Sequence, residues 1–222
     1  MKILGYSERG IINSLIFEIG GDKALMDGFV KEIGIEGLFK PEQPKDYEIL
    51  LEQSFSGFGD ADLIVIIEYE SCKKVLFIEG KVKTSQRKHW SLHKQFNKYN
   101  EKKKYNGYSS NLFFQLYLKR LLMKKKDTIK NNRKSKIIGR FRERKIGENE
   151  IVWKAFKKLL KIEKAYYVGL IPSTNKEIYD FEKVNNTGLH FLAWETIHKF
   201  CKDNEKLEKV VKIFDYNDGQ IY

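Results

Sequence analysis

The sequence predicts an α/β fold, a mixed β-sheet with helices packed on both faces. Three observations carry this. Residues 165–171, AYYVGLI, form a near-continuous apolar run closed by Pro172, the pattern of a strand covered on both sides. Residues 63–67 and 75–78 are two more apolar, largely β-branched runs, parted by a polar turn at 70–74. Around these runs, apolar residues recur at three- and four-residue spacing, as amphipathic helices require. Strands alternating with helices are the mark of this class.

The 222 residues fit one domain, with a basic insertion or loop around 119–147. That length is ample for a sizeable core. A net charge of +12 favours polyanionic partners. Cys72 and Cys201 are the only cysteines, so neither a disulfide framework nor a zinc-finger spacing is available. No long apolar span or leader pattern is visible, and the expectation is a cytoplasmic protein with no membrane partner.

In chain order, 6–20 reads as a helix with Ser7 as its N-cap and a glycine stop at 20–21. Its apolar stripe is Ile11, Ile12, Leu15, Ile16 and Ile19. A weaker helix follows at 22–36, then a proline-bearing loop at 37–45 and a strand at 46–54, before the apolar hairpin. Residues 85–100 and 112–123 read as helices. So does 149–161, with Ile151, Val152, Ala155, Phe156, Leu159 and Leu160 inward. Residues 173–187 read as polar loop. Residues 189–194 read as a strand or the start of a helix running to Lys202. The segment 210–216 reads as an edge strand or short helix.

The hairpin holds the chemically interesting charges. Asp62 opens its first strand, and Glu79 and Lys81 close the second, where apolar residues would be expected. A hairpin centred between Ser71 and Cys72 pairs residues whose numbers sum to about 143. Asp62 then faces Lys81, and because strand side chains alternate, all three share one face. A slip of one residue would break the arrangement. Asp60, of the same parity, rivals Asp62. Two carboxylates brought together repel unless a cation sits between them, and hard oxygen ligands suit magnesium. A neighbouring ammonium can orient a metal-bound water or stabilise charge developing on a phosphate.

Asp62, a hairpin-sized gap, then Glu79-Gly80-Lys81 resembles the PD-(D/E)xK nuclease superfamily, with its restriction-endonuclease-like fold. Ala61 stands where that pattern has proline. Gln95-Phe96-Asn97-Lys98-Tyr99 resembles the Q-x-x-x-Y motif of RecB-type members; its alternative is an ordinary amphipathic helix with a polar edge. The resemblance implies a three-layer core and metal-dependent hydrolysis of phosphodiesters in DNA, with RNA left open. Asp62 and Glu79 would bind magnesium or manganese, with the Gly80 carbonyl as an extra ligand. Lys81 would assist the attacking water, and Gln95, Tyr99 and Glu8 would complete the site. Glu8 is equally well read as a first-turn acid favoured by the helix dipole. Many nucleases of this fold work as pairs, so a homodimer is compatible with the resemblance. The alternatives are a nucleic-acid-binding module of the same fold that does not cleave, and a structural or membrane-surface protein with no site.

Residues 119–145 hold 13 Lys or Arg against two acids, nearly the whole net charge of the protein. Such a run is a solvated loop, an anionic-membrane contact or a phosphate-binding surface. Beside a nuclease motif, the third reading leads. Arg133, Lys134, Lys136, Arg140, Arg142 and Arg144 are then the expected contacts, with Lys83 as either another or a strand-end solubilising charge. Phe141, between two arginines, could stack on a base. His89 and His93 share a helical face but lack a third zinc ligand nearby, so DNA contact or simple exposure is the better reading. No phosphate-binding glycine loop and no Gly-x-Ser-x-Gly elbow is present.

Overall fold

The computed structural model describes residues 7–83, 90–101, 110–133, 136–138, 143–146, 149–217 and 219–222. Five strands make one mixed sheet: β1 (Asp46–Ser54), β2 (Asp60–Glu68), β3 (Lys73–Gly80), β6 (Lys164–Ile171) and β7 (His190–Ala193), in the spatial order β1-β2-β3-β6-β7. The first three are antiparallel neighbours; β3, β6 and β7 run parallel. A separate two-stranded ribbon joins β4 (Lys136–Ile138) to β5 (Glu143–Lys145).

Period-two alternation sends the strand side chains into two cores. Leu63, Val65, Ile67, Leu76, Ile78, Val168 and Leu170 face one side. There they meet helices α1 (Glu8–Ile19), α2 (Lys23–Glu32), α8 (Trp194–Lys202) and α9 (Glu208–Tyr216). Ile64, Ile66, Val75, Phe77, Tyr167 and Ile171 face the other side. There they meet α3 (Leu92–Asn100), α4 (Leu112–Lys124), α6 (Glu150–Leu159) and α7 (Asn175–Val184). The central strands are uniformly apolar because both faces are covered.

Local capping sets the helix starts. Ser7 Oγ accepts the Gly10 N–H at 2.9 Å, Asp22 caps α2, and Asn149 caps α6. The strand expected at 46–54 and the buried strand expected at 165–171 are both present. Two expectations change, and at 210–216 the short-helix alternative holds. The stretch 173–187 is not all loop: Thr174 and Glu177 form a reciprocal capping box that starts α7, and Ile178 and Phe181 anchor it. The segment 210–216 is helical, with Val210, Ile213 and Phe214 at helical spacing on the core. Within the basic tract, α4 continues to Lys124, and a short helix α5 (Lys126–Asn131) and the β4–β5 ribbon follow.

The motif hairpin has a different register from the expected one. Leu63 pairs with Ile78 and Ile67 with Lys74, so paired numbers sum to 141. The turn is tighter, closed by the Tyr69 N–H donating to Cys72 O at 2.9 Å. A shift of two preserves parity, so Asp62, Glu79 and Lys81 still share a face. One further step of this register sets Asp62 opposite Glu79 rather than Lys81.

Candidate functional site

The site lies where the carboxyl end of β3 meets the amino end of β2. In open α/β sheets, ligands gather beyond the carboxyl ends of the parallel strands. A cleft of about 410 Å³ opens here, with Asp60, Asp62, Lys81, Lys119, Glu8 and Arg9 among its lining residues. Asp60 is exposed, whereas Asp62 is only 3% exposed. Gly80 N–H points toward β2 and donates to Asp62 Oδ2 at 2.8 Å, so the carboxylate replaces a main-chain acceptor at the fraying end of the ladder. Arg9 Nε donates to Asp62 Oδ1 at 3.0 Å. These two bonds hold Asp62, not Asp60, against Glu79.

Glu79 has no exposed surface, and its Oε2 accepts no hydrogen bond. Its nearest cation is Lys119 on α4, whose Nζ lies 3.3 Å from Oε1. Lys119 is itself fully buried and also donates to Phe58 O at 3.2 Å. Burial pushes the Glu79 carboxyl up to about 7; Lys119 pulls it down, Asp62 pushes it up, and Lys81 again pulls it down.

Lys81 is held by its backbone. Its N–H donates to Leu170 O at 2.8 Å, and Trp194 Nε1 donates to its carbonyl at 2.7 Å. Its Nζ folds back on Gly80 O at 2.8 Å. Glu8 reaches the site because α1 rests directly on Gly80. A Cβ at position 80 would stand 2.8 Å from Glu8 Cβ and 3.2 Å from Ile12 Cδ1. Similarly, α4 approaches β6 at Gly169, beside Glu79 in the sheet, where a Cβ would meet Leu112 Cδ2 at 3.0 Å.

Gln95 and Tyr99 are placed elsewhere. Gln95 Oε1 accepts the Leu112 N–H at 3.2 Å, and its carbonyl accepts Asn111 Nδ2 at 2.8 Å, so it ties α3 to the start of α4. Tyr99 packs beside Phe113 and Tyr117 in a second cleft. His93 sits edge-on to Phe181.

The expected phosphate contacts divide. Lys134, Arg140 and Arg142, with Phe141 and His89, lie outside the described residues. Lys83 is half-buried past β3. Arg133 pairs with Glu150 at 2.6 Å and lies over the Trp153 ring, and Lys136 pairs with Glu143 at 3.2 Å. Arg144 is only 4% exposed, packed over the Phe114 ring at the cleft wall.

Sequence reasoning overlooked Arg9 and Lys119 as site residues. Lys119 follows Leu112 and Leu116 along the apolar stripe of α4, a position where a lysine is out of place. That misfit was the available signal. Arg9 offered none beyond its place next to Glu8.

Among the described residues, no group of three or more His, Cys, Asp or Glu gathers to hold a metal ion. The same residues contain no helix long and apolar enough to cross a membrane. No protein-family model, curated protein or solved structure matches the chain.

Proposed function

We propose that the chain is a metal-dependent nuclease of the restriction-endonuclease-like type, hydrolysing phosphodiester bonds in DNA. One observation carries this reading: Asp62, Glu79 and Lys81 stand on one sheet face at the carboxyl end of β3, with Asp62 and Lys81 lining an open cleft. The buried Glu79 carboxylate beside Asp62, with Oε1 against Lys119 and Oε2 without a hydrogen-bond donor, is a donor set suited to a hard divalent cation. Asp62, Glu79 and the Gly80 carbonyl would hold magnesium or manganese. When bound, that ion would supply charge stabilisation to the phosphate and lower the pKa of water.

The protein groups have distinct tasks. Lys81 Nζ, released from Gly80 O, would orient the attacking water and offset charge on the phosphate. Arg9 would keep the Asp62 carboxylate aimed across the hairpin. Lys119 would hold Glu79 in place from beneath. Glu8, brought in by α1, borders the path of the water.

A second reading, a nucleic-acid-binding module that does not cleave, has its own support. Each carboxylate already faces a protein cation, Arg9 on Asp62 and Lys119 on Glu79. A cleavage assay separates the two. Wild type and Lys81→Ala would be incubated with plasmid, linear and single-stranded DNA in magnesium, manganese or EDTA. The nuclease reading expects metal-dependent cutting by wild type and its loss in Lys81→Ala, with DNA affinity kept. Binding without cutting on every substrate favours the module. Neither binding nor cutting refutes both.

A further inference from the structure

A second cleft, of about 380 Å³, lies on the other flank of α4. Phe114, Leu118 and Lys119 of that helix look into the first cleft, while Phe113, Tyr117 and Arg120 look into this one. Its walls are aromatic: Tyr99 lies 6.1 Å from Tyr117, and Phe96 lies 5.1 Å from Phe113, between ring centroids. Its rim is polar. Asn185, Asn186 and Thr187 bring amide and hydroxyl groups, and Asn185 is held by its side-chain bond to Phe181 O at 3.1 Å. The exposed Arg120 guanidinium reaches the same rim, with Nη1 3.4 Å from Thr187 O.

This combination selects a ligand class. An aromatic wall takes a flat π-face, amides at the rim take a hydrogen-bonding edge, and the guanidinium takes an adjoining anion. A nucleobase attached to its phosphate has all three. A base inside a duplex offers neither face, so the ligand is unpaired.

We propose that this cleft receives one unpaired nucleobase of the strand held in the first cleft, with Arg120 on the adjoining phosphate. The inference rests on the nuclease reading and narrows its substrate to nucleic acid with a single-stranded segment. The helix between the clefts sets the spacing from the held base to the cut.

The test measures binding of single-stranded and fully paired DNA oligonucleotides to wild type, Tyr117→Ala, Tyr117→Phe and Arg120→Ala, each first checked by thermal melting. One base of the single strand is 2-aminopurine. Tyr117→Ala is expected to weaken single-strand binding by about tenfold, within the range of one lost base-stacking contact. Its salt dependence and duplex affinity should stay unchanged. Tyr117→Phe, which keeps the ring, should bind as wild type. Arg120→Ala should lower the salt slope by about 0.7, the share of one phosphate on a single strand. The 2-aminopurine fluorescence should be quenched by wild type and not by Tyr117→Ala. Unchanged single-strand affinity and quenching in a folded Tyr117→Ala, while wild type still binds and cuts, overturns this cleft's role alone. A wild type that binds no nucleic acid overturns the nuclease reading and this inference together.

Discussion

Lys119 Nζ lies 3.3 Å from Glu79 Oε1, and neither side chain exposes any surface. Two opposite charges buried together are costly to bring in and costlier to separate, because the survivor stays desolvated. The pair joins α4 to the carboxyl end of the central strand β3, which carries the candidate site. Its second bond, to Phe58 O, ties in the turn before β2.

Breaking this pair from one side should therefore be severe. Lys119→Met is expected to cost about 3–5 kcal/mol at pH 8, where the stranded Glu79 must ionise or hold a proton against the solution. At pH 5 the cost should shrink, since the carboxyl accepts a proton. Replacing both partners, as Lys119→Met with Glu79→Gln, should recover most of the loss. Urea unfolding of the two singles and the double gives the coupling directly. Additive losses would show that the contact is not an energetic unit.

Gly80→Ala tests why glycine stands between the motif glutamate and lysine. The added methyl would meet Glu8 Cβ at 2.8 Å, and α1 must move outward to admit it. Overpacking of this kind costs about 1–3 kcal/mol. The displaced helix also carries Arg9 away from Asp62. The variant should lose stability and, under the nuclease reading, more activity than stability explains. Unfolding curves and single-turnover cleavage at saturating DNA would check both.

The α/β class was legible because its main signals are local. The run 165–171 is apolar throughout and too short for a helix of this type, and the helical stripes of α1 and α6 recur without interruption. The site charges were legible because Glu79 and Lys81 violate the apolar pattern around them. The register was less so: Leu63 to Ile67 and Val75 to Ile78 are uniformly apolar, so nothing in their pattern prefers a sum of 141 over 143. Lys119 and Gln95 owe their roles to contacts 40 and 17 residues away in sequence, with Glu79 and Leu112. Periodicity does not carry such contacts. By contrast, α7 had a readable start in Thr174 and Glu177.

Gln95→Ala separates two tasks for the glutamine. Its side chain accepts the Leu112 N–H, one of the unpaired donors at the start of α4. Losing that bond should cost about 1 kcal/mol, the usual worth of such an end contact. Activity should fall far less than in Lys81→Ala, because the amide does not line the first cleft. Melting curves alongside cleavage rates would decide. A loss of turnover equal to that of Lys81→Ala, with stability intact, would instead put Gln95 at the reacting phosphate.

The pH dependence of stability reports on Glu79. Burial raises its carboxyl from the ordinary 4.5 to about 7. Below 4.5 the folded and unfolded chains both hold the proton. Between 4.5 and 7 the unfolded chain has released it while the folded chain keeps it, so rising pH favours unfolding. Above 7 the loss is complete, and it amounts to roughly 3 kcal/mol at most. Metal-free protein should thus become less stable as pH climbs through this window. Glu79→Gln, which has nothing to titrate there, should flatten that part of the profile. Magnesium requires the ionised carboxylate, so its stabilising effect should emerge over the same window in wild type and be absent from Glu79→Gln. Thermal melts from pH 4 to 8, with magnesium and with EDTA, would measure all of this. Parallel profiles for wild type and Glu79→Gln would remove Glu79 both as the titrating group and as a metal ligand.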